Sequence, residues 1–121
     1  MNNDENLNAA AEAEAMPLLA IRGIAVFPEM IMNFDVERPL SVGSLNVSIA
    51  GGRKIFLVAQ RDAAKERPDQ DDLYEIGTVC VIRQFIRSKE GALRVMVEGQ
   101  YRARLLGFAE QPDHIGAKVE R

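Results

Sequence analysis

The stretch Val95–Phe108, VMVEGQYRARLLGF, decides how the chain is read. Apolar and polar residues alternate up to Val97, the pattern breaks over Glu98, Gly99 and Gln100, and alternation resumes at Tyr101. Period-two alternation marks a half-buried strand, so the break needs a device. A two-residue turn at Gly99-Gln100 would set Val97 opposite Arg102 and Val95 opposite Arg104, mixing valines with arginines. A one-residue slip moves every side chain to the other face. With Glu98–Gln100 as the turn, Val97 meets Tyr101, Val95 meets Ala103 and Leu93 meets Leu105. That register makes one apolar face and gathers Arg94, Arg102 and Arg104, with Met96, on the other. Each valine stranded on a wet face would lose about 1.5–3 kcal/mol of burial. Crowding the arginines costs only roughly tenths of a kcal/mol. The residues therefore predict a three-residue or bulged turn, with Gly99 or a neighbour at positive φ.

Upstream, GTVCVIRQFIRS (Gly77–Ser88) reads as a long strand and KEG as its turn, with Gly91 available for a left-handed backbone. Together with Ala92–Glu98 and Tyr101–Phe108 it predicts a three-stranded meander. KIFLVAQ (Lys54–Gln60) is apolar on both faces and reads as a buried strand. Leu18–Ile21 reads as another. In Met30–Val36, Met30, Met32, Phe34 and Val36 alternate with Ile31, Asn33 and Asp35. Pro28 lacks the N–H of a sheet ladder, which makes Phe27–Met30 a loop. Ile115, Ala117 and Val119 start a last strand. Residues 38–50 stay open on propensity. Pro39 suits the first turn of a helix, and Gly51-Gly52 suits its end. Gly43, the serines and the valines are poor helix formers, and Leu45, Val47 and Ile49 also alternate like a strand. Short strands, turn signals and at most one helix point to a small closed or half-closed β-barrel.

The chain has 121 residues, a length for one domain, with 47% hydrophobic and 27% charged residues. Net charge is −3, which argues against a nucleic-acid footprint. No apolar run approaches the roughly 20 residues of a membrane span. Residues 1–16 are rich in Asn, Ala and Glu, lack the basic start of a signal peptide, and read as a disordered acidic tail. One cysteine, Cys80, permits no internal disulfide and fits a reducing cytoplasm.

Catalytic chemistry finds no footing. His114 stands alone in a loop and reads as a surface residue. Cys80, among Val79, Val81 and Ile82, reads as a buried, inert thiol. No nucleophile elbow or phosphate loop is present, and the chain has one Cys and one His for zinc. Asp69, Asp71 and Asp72 lack the Gly and Glu spacing of a calcium loop, so RDAAKERPDQDD reads as a solvated loop. The expectation is no enzyme, no metal and no cofactor. Binding is the alternative. Val26 and Met32 read as core, while Phe27 and Met30 are open between core and an exposed, adaptable apolar contact. A stripe of Arg83, Arg87, Arg94, Arg102 and Arg104 keeps an RNA-binding reading as the alternative, and a self-pairing adaptor as another.

Four pieces in order, PLLAIRGIAVFPEMIM, KIFLVAQ, DDLYEIGTVCVI and VMVEGQYRARLL, resemble the N-terminal, substrate-binding domain of the ATP-dependent Lon proteases. The likeness covers about residues 17–110. It implies a mainly β fold, a compact antiparallel PUA-like pseudo-barrel of about six strands with one short helix, over residues 17–121. It also raises 38–50 to a helix. Family members carry Glu, Lys, Ala and Arg there. Pro39, Gly43 and the serines of this chain imply a helix that is short, frayed or displaced. The family tends to have Gly where this chain has Glu29, and Pro where it has Asn33. The resemblance implies a non-catalytic role: binding unfolded or damaged proteins through Phe27, Pro28, Glu29 and Met30. It implies a parent that is a cytoplasmic homo-hexamer with downstream ATPase and protease domains. The chain then reads as an excised domain or a short stand-alone relative.

Overall fold

The computed structural model describes residues 13–66 and 68–121. Strands β1 (Ala13–Ile21) and β2 (Ile31–Val36) precede helix α1 (Pro39–Ala50). Strand β3 (Lys54–Ala59), a short 3-10 turn (Gln70–Asp72), β4 (Ile76–Arg87), β5 (Leu93–Glu110) and β6 (Ile115–Glu120) follow. The sheet order is β2-β5-β4-β3-β1-β6, and β6 returns to pair with β5. Five strands thus close a ring, and β2 extends from the first half of β5. All pairings are antiparallel except β1 with β3. The predicted mainly-β pseudo-barrel with one helix is the observed architecture. Strand β1 starts before the expected Leu18, because Ala13–Pro17 pair with Glu120–Gly116 of β6. Residues 13–16 of the expected tail are therefore strand, and residues 1–12 lie outside the described ones.

The meander is corrected. No turn interrupts Glu98–Gln100, and β5 runs through it as one strand of 18 residues. The positive-φ glycines among the described residues are Gly23 and Gly91, so Gly99 keeps ordinary backbone. Val79 faces Tyr101 while Cys80 faces Gly99, which makes Gln100 the extra residue of a β-bulge. Below the bulge, Leu93, Val95 and Val97 point into one core. Above it, Ala103 and Leu105 point into another, with Tyr101 packed against it. An unbroken strand would keep all these odd-numbered residues on one face. The bulge reverses the parity, so one alternating sequence fills two cores on opposite faces. The irregularity at Glu98–Gln100 was legible in the sequence, but the reversal of faces and the second core were not. The turn at KEG stands as expected, with Gly91 at φ 90 and the Ser88 N–H donating to the Ala92 carbonyl at 2.9 Å.

The barrel interior holds Leu18, Phe56, Val58, Val79, Ala103 and Val119, among others. The second core lies outside the ring, where Leu45 of α1, Val36 of β2, Ile55, Ile82 and Val95 meet. Strand β3 and the first half of β4 are covered on both faces, and so KIFLVA and TVCVI lack polar alternation. At one end of the ring, Lys54 Nζ lies 2.7 Å from Glu14 Oε2, and the Tyr101 hydroxyl donates to Glu14 Oε1 at 2.7 Å. These bonds tie β1 to β3 and β5. The hydrogen bond from Lys54, more than that from Tyr101, holds the Glu14 carboxyl below its ordinary pKa, and the same bond raises Lys54.

Helix α1 is a full 12 residues, not frayed, despite its poor propensity. Tertiary contacts explain the residues that weaken it. Ser41, Ser44, Leu45 and Ser48 are its buried face. The Ser44 hydroxyl accepts the Ile115 N–H at 3.1 Å and donates to the Ile115 carbonyl at 3.3 Å. The Ser48 hydroxyl donates to the Lys54 carbonyl at 2.7 Å. At Gly43 a Cβ would sit 1.6 Å from the Asp113 carbonyl oxygen. Small and hydroxylic residues let the helix lie directly on backbone.

Candidate functional site

The Phe27–Met30 segment is a tight turn docked on β5. The Met30 N–H donates to the Phe27 carbonyl at 3.1 Å, with Pro28 second in the turn and Glu29 third at φ 71. That is the pattern of a type II turn, whose third position favours glycine. Glu29 holds a left-handed conformation that costs an ordinary residue about 1–2 kcal/mol. Two bonds to β5 hold it there: Glu29 N–H to the Gly99 carbonyl (2.9 Å) and Gly99 N–H to the Met30 carbonyl (2.8 Å). Before the turn, the buried Thr78 hydroxyl donates to the Val26 carbonyl at 2.6 Å. Gly99 receives the turn. A Cβ there would lie 2.3 Å from the Phe27 oxygen and 3.2 Å from Pro28 Cα. The break in VMVEGQYRARLLGF thus marks a landing place for a distant segment.

The four residues of the turn do different things. Phe27 is 46% exposed. Pro28 is half-buried and shapes the bend, and Glu29 is exposed. Met30 turns partly toward the outer core, and its sulfur accepts the Phe27 N–H at 3.3 Å. Of the open pair, Phe27 faces solvent and Met30 leans inward.

Sequence reasoning missed the partners of Phe27. Ile24, Tyr74 and Ile76 are 44%, 47% and 46% exposed, and with Phe27 they line one groove of about 730 Å³. They come from the β1–β2 segment and from the approach to β4, far apart in sequence. The signal available was weak: Tyr74 and Ile76 are bulky apolar residues at the end of an otherwise polar loop. Two arginines also line the groove. The Arg102 guanidinium lies 5.0 Å from the centre of the Phe27 ring, and that of Arg61 lies 4.8 Å from the Tyr74 ring. The groove offers apolar contact and cationic edges, and none of its lining is a nucleophile paired with a base.

The other candidates fall into structural places. Cys80 is buried in the outer core, and desolvation pushes its thiol up to about 12. His114 is half-buried, and its Nδ1 lies 2.8 Å from Asp113 Oδ1, an approach that lowers the Asp113 carboxyl. Asp72 accepts the Asp69 N–H at 2.7 Å and pairs with Lys65 at 3.0 Å. Among the described residues no group of three or more acidic, His or Cys side chains is arranged to hold a metal. The loop after β3 is organised by buried Gln60, whose amide donates to the Asp62 and Lys65 carbonyls. The arginine stripe on which the alternative RNA-binding reading rests is dispersed. Arg83 pairs with Glu98, Arg94 with Asp35, and Arg87 with Asn46, while the bulge turns Arg94 away from Arg102 and Arg104. No helix among the described residues is long and apolar enough to cross a membrane.

Comparison with known proteins supplies the family. Residues 15–121 match the model of the ATP-dependent protease La (LON) substrate-binding domain. Lon protease 1 of Syntrophobacter fumaroxidans is 42% identical over 119 residues, covering 98% of this chain and 14% of that protein. Lon protease of Syntrophomonas wolfei is 36% identical over 105 residues, covering 87% of this chain and 13% of its own length. This chain therefore spans about one seventh of those relatives. The fold is similar to the N-terminal domain of Mycobacterium avium complex Lon protease, with a TM-score of 0.70 and 18% identity. That likeness covers 89% of this chain and 54% of the other. A Lon N-terminal domain protein from Xanthomonas campestris gives 0.66 and 14% identity, over 88% and 59% of the two chains. A bulged long strand, a docked proline turn and a ring of strands therefore go with a sequence match over nearly the whole chain, and the protein belongs to the Lon protease substrate-binding domain family.

Proposed function

We propose that the chain is a non-catalytic recognition domain that engages unfolded or damaged polypeptides for an ATP-dependent Lon-type serine protease. One observation carries the reading: four large apolar side chains, Ile24, Phe27, Tyr74 and Ile76, stand about half exposed around a single groove. A folded protein has buried its large apolar residues, whereas an unfolded one offers them. An exposed apolar groove therefore discriminates by folding state, without reading a fixed sequence. The wall carrying Phe27 is fixed by the bonds to Gly99 and Thr78, so little of it must be ordered on binding. In this reading Phe27 makes the contact, and Pro28, Glu29 and Met30 set its position. The role includes cytoplasmic location and association with the ATPase and protease domains of a hexameric parent. One domain binds weakly, in the high-micromolar range or above, and six linked copies raise the effective affinity.

An NMR titration of the 121-residue chain with a permanently unfolded protein tests the proposal. The expected result is saturable shifts of the Ile24, Phe27 and Ile76 amides. Shifts confined to other faces, or none at millimolar ligand, would overturn it.

A further inference from the structure

We infer that the groove selects unfolded segments by charge, favouring those that carry an acidic residue within a few positions of large apolar ones. The inference rests on the recognition reading above and specifies its substrate class. The chain as a whole is acidic, with a net charge of −3. The groove reverses that sign locally, because its charged lining is Arg61, Arg102 and Glu75. Arg22, Arg83 and Arg94 are each paired with a carboxylate on this chain. Among the described residues neither Arg61 nor Arg102 has such a partner. Each instead lies over an aromatic ring that is itself part of the groove.

That geometry has a chemical consequence. A guanidinium carries five N–H donors, and its terminal pair of nitrogens fits a carboxylate with two parallel hydrogen bonds. Arg61 is further fixed by its Nε–H, which donates to the Leu73 carbonyl at 3.1 Å. A side chain already held in place loses less freedom on forming a new bond. An apolar segment seated between Phe27 and Tyr74 would bring a neighbouring Asp or Glu to one of these guanidinium groups. A Lys or Arg at the same place would meet net positive charge. Glu75 opposes the preference and sets its size.

Fluorescence anisotropy with the whole chain tests the inference, using three labelled peptides that share one apolar core and are flanked by Asp, Asn or Lys. The expected order is Asp tightest and Lys weakest, with about a three- to tenfold difference at low salt, the scale of exposed charge contacts. The ratio shrinks as salt rises. The Arg61→Gln and Arg102→Gln variants each narrow the Asp-to-Lys ratio, and Glu75→Gln widens it. Equal binding of all three peptides at low salt overturns charge selection and leaves the recognition reading standing. Binding of none of them sinks both. An undiminished preference in the doubly substituted Arg61→Gln, Arg102→Gln chain also overturns the inference, because the charge would then act from elsewhere.

Discussion

Helix α1 and the Phe27–Met30 turn are both laid on the strand framework by way of a glycine, but the glycine belongs to opposite partners. In α1 it is the added element that carries the vacancy, since Gly43 lets the helix touch the Asp113 carbonyl. In the turn it is the strand that carries it, since Gly99 lets β5 accept the Phe27 carbonyl. The helix covers a core and holds no groove residue. The turn covers little and presents Phe27. Packing at one place therefore serves stability, and packing at the other serves position. A substitution at each should separate the two roles.

The largest effect is expected at Gly43→Ala. Helix propensity alone would favour alanine by about 1 kcal/mol. The clash with the Asp113 carbonyl is with backbone and cannot be relieved by a rotamer change. A net loss of about 2–3 kcal/mol is expected, measured by urea unfolding. A neutral or stabilised variant would break the claim that the helix lies against that backbone. Next is Gly99→Ala, with an expected loss of about 1–3 kcal/mol. Its distinguishing mark is displacement of the turn: the Glu29 and Met30 amides shift, and unfolded-chain binding falls more than stability explains. Gly43→Ala should leave those amides in place.

Ser44→Ala sharpens the helix side. Two hydrogen bonds to the Ile115 backbone vanish in a fully buried site, and the expected loss is about 1–3 kcal/mol. Ser44→Val would fare no better, because it leaves the same groups unsatisfied and adds bulk. The smallest effect is expected at Glu29→Gly on the turn side. Glycine relieves the left-handed strain of φ 71 but gives the unfolded chain more freedom. A gain of at most about 1 kcal/mol in thermal unfolding is the outcome. Glu29→Val should lose stability, because a β-branched residue is poorly accommodated at positive φ.

Much of the architecture was legible. The strand runs, apart from the unbroken length of β5 and the start of β1, the KEG turn and the buried Cys80 followed from alternation, glycine placement and neighbours; the count of about six strands came from the family resemblance. Two readings failed for related reasons. The residues around Gly99 looked like a turn because a glycine between polar neighbours breaks a strand pattern, whether a chain reverses there or another segment lands there. The serines of α1 looked like frayed ends because propensity describes an isolated helix. Their hydroxyls in fact meet Ile115 and Lys54. The site was half legible. Pro28 marked the turn, and Phe27 emerged as an exposed apolar side chain. Tyr74 and Ile76 were not found, since nothing local links residues about 50 positions from Phe27, and Ile24, three residues before it, carried no signal of exposure.

The sequence by itself determined most of the strand runs, the irregularity at Glu98–Gln100, the KEG turn and the family resemblance. These depend on the period of side chains along a strand and on residue chemistry, which are local. Only the tertiary structure decided that the irregularity is a bulge that reverses faces between two cores, that Gly43 and Gly99 are contact points, and that Phe27 shares a groove with Tyr74 and Ile76. Those facts depend on long-range pairing and closure, which set β2 and the turn before it against β5 and bring β6 back to β5. Proximity created by closure leaves no periodic trace in the chain.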